Sequence, residues 1–138
     1  MREIKFRAWD DIKKKMIQVE SLIIPKGLNE AGQQELAVSD KFNSTYFSYL
    51  IAPPIMQYTG QKNKQGKEIY EGDILLNPPE PWCPKEIFKV YWDNSRLAWM
   101  GIGQYSEDEL VAFSDDSEII GNIYENPELK GDTPQLTS

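Results

Sequence analysis

The sequence predicts an all-β protein: an N-terminal β-hairpin lobe, then a small barrel-like C-terminal lobe, with few or no helices. Three observations carry that prediction. Four Trp, seven Tyr and five Phe, together with many β-branched residues, recur along the 138-residue chain, and such side chains suit a half-buried pleated surface. Long Ala/Leu-rich stretches are absent. Short apolar runs are separated by frequent turn residues, the pattern of barrels and paired sheets.

The elements follow in order. EIKFRAWD, residues 3–10, alternates strictly, with Ile4, Phe6 and Ala8 on one face and Lys5, Arg7 and Trp9 on the other; a period of two marks a half-buried strand. A polar turn at 10–15 leads to a return strand at 16–24, stopped by Pro25, so the pair forms a hairpin. Residues 26–42 read mostly as loop, since Gly32 weakens the one short helical pattern at 30–37. Residues 45–51 form a strand ended by Pro53-Pro54.

A short strand at 55–58, a turn at 59–67 and a strand at 68–76 come next. Gly60 and Gly66 supply positive φ at the turn corners, with help from Asn63. Gly72-Asp73 interrupts the last strand as a bulge would. After the proline cluster NPPEPWCPK, residues 86–92 and 97–102 form a second hairpin around Asp93-Asn94-Ser95-Arg96. Strands are expected at 110–113 and 118–124, and Asn126-Pro127 opens a single helical turn. The chain is then one β domain over 1–130, with lobes at 1–56 and 57–130, and a flexible tail at 131–138.

Charge is unevenly spread. Residues 1–56 hold eight basic and seven acidic side chains (+1), residues 57–72 three and two (+1), and residues 73–138 four and thirteen (−9), giving the net −7. An acidic C-terminal half repels phosphate backbones, so nucleic acid is a disfavoured partner. No apolar run approaches the ~20 residues that span a bilayer, and MREIKFRAWD lacks a signal-peptide core. Cys83 is the single cysteine and can make no internal disulfide, which suits a reducing cytoplasm. The expected location is the bacterial cytoplasm, with no membrane contact.

The absence of histidine removes the usual catalytic triads, histidine-ligated zinc and the common acid/base side chain near neutral pH. A lone Cys83 makes no CxxC site. The glycine–lysine stretch at 60–67 lacks the Gly-Lys-Ser/Thr opening of a helix that a phosphate-binding loop needs. Glu68, Glu71 and Asp73 are the carboxylates closest to an acid/base pair, but hydrolysis needs two carboxyls facing across a cleft. The expectation is therefore no catalytic residue, no cofactor and no metal, and no enzymatic activity.

Candidate partner-binding residues are aromatic or basic. Trp82, among four prolines, either folds back onto the barrel or stands out for a partner; the folded-back arrangement is preferred. Trp9, on the charged face of its strand, poses the same choice. Lys62, Lys64 and Lys67, with Tyr58 and Tyr70 nearby, form a minimal basic–aromatic patch of the kind that holds single-stranded nucleic acid.

Three separated blocks, IKFRAWD, MQYTG…GKEIYEGDIL and IIGNIYENPEL, resemble the YopX family of small proteins encoded by bacteriophages and prophages. The resemblance implies an all-β fold with a barrel-like lobe and a phage origin. It brings no catalytic residues. The function expected is that of a non-enzymatic phage accessory protein acting through contact with a host or phage protein, or with further copies of itself. The alternatives are a nucleic-acid-binding barrel using the loop at 62–67, and an acidic mimic of DNA that occupies a host protein.

Overall fold

The computed structural model describes residues 3–11, 13–23, 30–32, 36–40, 45–48, 55–82 and 84–130. Pro53-Pro54, Cys83 and the tail at 131–138 lie outside them. The described chain is all-β, with one short α-helix. Two compact units divide it, Ile4–Gln57 and Met1–Glu3 with Tyr58–Ser138. No helix among the described residues is long and apolar enough to cross a membrane.

In the first unit β1 (Phe6–Asp10) and β2 (Lys15–Gln18) form the expected antiparallel hairpin, with Ala8 opposite Ile17. The Asp10 carboxylate accepts the Lys13 amide and Lys14 takes a φ of 55°, so the turn is closed by its own side chain. Ala8, Ile17 and Met56 are buried, but so is Trp9 on the opposite face, while Ile4 is 68% exposed, so the two-faced alternation expected over 3–10 does not hold. The predicted return strand at 16–24 is split. β3 (Ser21–Ile23) leaves β2 and pairs with β4 (Leu36–Ser39), which pairs with β5 (Thr45–Ser48). β4 lies inside the segment expected to be loop. Its residues are paired on both sides, by β3 before it and β5 after it, and Val38 is 1% exposed.

β6 (Ile55–Lys62) is longer than expected. Its start pairs with β1, Phe6 opposite Gln57. Beyond Tyr58 it pairs with β7 (Glu68–Tyr70) through a register shift between Tyr58 and Lys62. Gly60, at φ 88°, forms the bulge, and the Thr59 hydroxyl donates to the Ile69 carbonyl across it. The predicted strand at 68–76 is also two strands. β7 ends at Tyr70, and β8 (Asp73–Asn77) starts after a turn at Glu71-Gly72.

β8, β9 (Glu86–Asp93), β10 (Ala98–Ile102), β11 (Glu107–Glu109) and β12 (Glu118–Asn122) form an antiparallel sheet in the order β11-β10-β9-β8-β12, curled into a half barrel. The β9–β10 turn is as anticipated: the Asp93 carboxylate accepts the Ser95 and Arg96 amides. Ile69, Leu75, Phe88, Val90, Leu110 and Phe113 pack as the core, with Trp99 and Ile119 against it.

The strand expected at 110–113 is instead a 3₁₀ turn at Leu110–Ala112, followed by another at Ser114–Asp116. Leu110 and Phe113 both belong to the core. Three residues per turn place i and i+3 on one side, whereas a strand would point them to opposite faces. β12 stops at Asn122, short of the expected Tyr124, because the Asn122 side chain accepts the Tyr124 and Glu125 amides and turns the chain. Helix α1 (Pro127–Lys130) follows, as its Asn-Pro start predicts. The Asn126 carboxamide reaches back to accept the Asn122 amide.

Candidate interaction surface

The β6–β7 loop is organised around one buried side chain. Asn63, 5% exposed, accepts the Gln65 and Lys67 amides at its Oδ1, at 3.0 and 2.9 Å. Its own amide donates to the Lys67 carbonyl, Gly66 donates to the Asn63 carbonyl, and Lys64 donates to the Ser117 carbonyl. Every loop amide from Asn63 to Lys67 is thus spent inside the protein, and none is left to cradle an anion. Asn63→Ala should therefore cost about 1–2 kcal/mol of stability through the orphaned amides, read as a lower urea midpoint.

The lysines of this loop stand exposed. Lys64 lies 3.6 Å from Glu118 and Lys62 is opposite Glu68 in the ladder. Two of the three lysines thus have an acidic neighbour.

Two carboxylates of the central segment hold Tyr70. Asp73, 1% exposed, accepts the Tyr70 amide at 2.8 Å and so pins the turn between β7 and β8. Glu68 accepts the Tyr70 hydroxyl. Burial, helped by the nearby charge of Glu71, raises the Tyr124 phenol above its ordinary value. Among the described residues, no group of three His, Cys, Asp or Glu side chains is placed to hold a metal ion.

Glu86 carries no sequence signal, yet its carboxylate accepts three hydrogen bonds. It is 5% exposed. Its Oε2 accepts the Tyr105 and Ser106 amides at 2.6 and 2.9 Å, and its Oε1 accepts the Ser106 hydroxyl at 3.1 Å. These bonds close the β10–β11 loop from the start of β9. The partners lie 19 and 20 residues away, beyond any local motif.

The tryptophans separate clearly. Trp9 is 9% exposed and its indole donates to Asp11. Hydrogen bonds from Lys14 and then Trp9 hold the Asp11 carboxyl below its ordinary range. Trp9 is thus packed and offers no outward anchor. Trp82 is the reverse, 80% exposed, so the preferred folded-back arrangement is corrected. The prolines around it restrict the backbone but leave the side chain outside the core.

A second aromatic feature was not apparent in the sequence. Trp92 and Trp99 face each other across the β9–β10 ladder, edge to face, with centroids 5.2 Å apart. Beside Trp99 opens a recess of 130 Å³. Ala98, Trp99, Leu110 and Val111 give it apolar walls, and Thr59 and Gln61 lie at its polar side. Trp92 and Val111 remain substantially exposed.

Against known proteins, the family model described as YopX protein matches residues 5–129. The crystal structure of protein EF1440 from Enterococcus faecalis is similar to this chain at 25% identity and a TM-score of 0.54, covering 94% of this chain and 99% of that one. No curated protein matches the chain.

Proposed function

The chain belongs to the YopX family, and from that premise we propose that it is a non-enzymatic accessory protein, of phage or prophage origin, that acts in the bacterial cytoplasm by binding another protein. The observation that carries this reading is Trp82. An indole at 80% exposure on a loop stiffened by Pro78, Pro79, Pro81 and Pro84 is held out at low conformational cost. Tryptophan is the residue most enriched among interface anchors. The chemistry at hand supports the non-enzymatic part, since the chain has no histidine and its buried carboxylates, Asp73 and Glu86, are engaged by backbone amides. The nucleic-acid alternative draws little from a loop whose amides are internally bonded and in which Lys64 is paired with Glu118.

The test is affinity capture from bacterial lysate with the tagged full-length protein, at low and high salt, with nuclease treatment. A partner that survives nuclease is expected, and Trp82→Ala should reduce its recovery at least about tenfold, the effect of losing an interface anchor. Capture abolished by nuclease would instead transfer the contact to nucleic acid, and capture of nothing would remove this reading.

A further inference from the structure

We infer that the recess beside Trp99 docks an apolar side chain carried on a basic segment of a partner protein. The inference rests on the protein-contact reading and extends it to a second surface with its own chemistry.

Size and lining come first. At 130 Å³ the recess is comparable to the ~150 Å³ engineered cavity that admits benzene, so it accommodates one side chain and not a cofactor. Its walls are the Trp99 ring, Ala98, Leu110 and Val111. Trp92 braces Trp99 edge-on from the neighbouring strand, which holds the wall in one orientation before any partner arrives. Val111 is 63% exposed and Trp92 40%. Scattered exposed apolar residues need no explanation, but a set gathered around a concavity does.

Charge identifies the occupant. From Leu97 to Leu129 the chain has no lysine or arginine and eight acids: Glu107, Asp108, Glu109, Asp115, Asp116, Glu118, Glu125 and Glu128. Two are neutralised locally, Glu107 by Arg96 and Glu118 by Lys64. Asp108, Glu109, Asp115 and Asp116 are exposed and carry no ion pair among the described residues. Glu109 belongs to the recess lining itself, and Asp115-Asp116 form the helical turn that follows Val111. An apolar recess with the exposed carboxylate of Glu109 in its lining, five of whose seven lining residues come from a segment with eight acids and no base, complements a hydrophobic anchor flanked by Lys or Arg. A second copy docking through this same face would bring Glu109 against Glu109, so a symmetric self-contact is opposed by like charge.

The test uses the full-length protein and synthetic peptides: a Lys/Arg/Ser peptide with one central Leu, the same peptide with Ser at that position, and the Leu peptide with Glu for every basic residue. Binding is followed by backbone-amide and indole NMR shifts at Ala98 and Trp99. The basic Leu peptide should bind, with affinity that falls as salt rises. The Ser peptide and the acidic peptide should each bind at least about tenfold more weakly.

Val111→Asp is the decisive variant, because the side chain is exposed and the change adds negative charge. A docked apolar side chain predicts loss of at least about tenfold in affinity, whereas charge attraction alone predicts tighter binding. Equal binding of the Leu and Ser peptides, undiminished binding by Val111→Asp, or no binding by any peptide would overturn the inference. So would a dimer in sedimentation velocity that Val111→Asp dissolves. In the lysate capture, recovery unchanged by Val111→Asp but lost with Trp82→Ala would overturn the recess and leave the protein-contact reading standing. Capture of nothing by the wild type would overturn the general reading instead.

Discussion

Replacing Glu86 with alanine should lower the stability of the protein by about 3 kcal/mol, since hydrogen bonds to a charged group contribute roughly 1.5–3 kcal/mol and the Tyr105 and Ser106 amides lose their shared acceptor. Glutamine should cost less, about 1 kcal/mol. Its carbonyl can still accept both amides, and its NH₂ can donate to the Ser106 hydroxyl, which reverses its role. The contrast between the two variants is what distinguishes a closing staple from a merely buried side chain. Urea unfolding at neutral pH checks it: the midpoint should drop in the order wild type, Gln, Ala, with little change in slope. Equal stability of Ala and wild type would mean that the β10–β11 loop does not depend on the carboxylate.

Gly101→Ala should be destabilising by about 2–3 kcal/mol through overpacking. A Cβ at this position would lie 2.4 Å from the Phe113 Cζ, 3.1 Å from its Cε1 and 3.3 Å from the Phe88 Cβ. Phe113 is 7% exposed and its ring centroid is 4.5 Å from that of Phe88, so the ring cannot retreat without disturbing the core. The effect is steric contact and not backbone conformation, so shortening the neighbour should relieve it. In the Gly101→Ala background, Phe113→Leu should cost less than it does alone, with a coupling of about 1 kcal/mol or more. Denaturation of the four proteins of the cycle gives that number, and additive losses would refute the assignment.

The parts of the fold that sequence makes legible are those with local causes. The β9–β10 turn is written in Asp93-Asn94-Ser95-Arg96, because the Asp93 side chain bonds the two amides that follow it. The β1–β2 hairpin follows from strict alternation, and Asn126-Pro127 announces α1. Parts with non-local causes are not legible. β4 is four residues that gain a second ladder from β3, well back along the chain, where Ser21 lies opposite Ser39. β11 is Glu-Asp-Glu, residues of poor strand propensity, and pairs because β10 offers it Met100, Gly101 and Ile102. The apolar run Leu110-Val111-Ala112-Phe113 has no period that separates strand from 3₁₀ turn; the position of the core decides it.

The candidate surface divides in the same way. The outward aim of Trp82 and the burial of Trp9 depend on what stands opposite each ring, which spacing along the chain does not encode. The recess depends on a loop from β11 reaching the face of β10. The acidic character of the segment that supplies Glu109 to its lining, however, is visible in composition as the uneven charge of the C-terminal half.

The shortness and charge of β11 also bear on polymerisation. A terminal strand of a sheet is a template onto which another chain can add by main-chain pairing, the route to fibres. Here that template is three residues long and every one is an exposed acid, so a like strand arriving alongside meets carboxylate against carboxylate. Growth of the sheet from molecule to molecule is disfavoured at this end, and association is steered toward side-chain contacts, which can be made and released without extending the sheet.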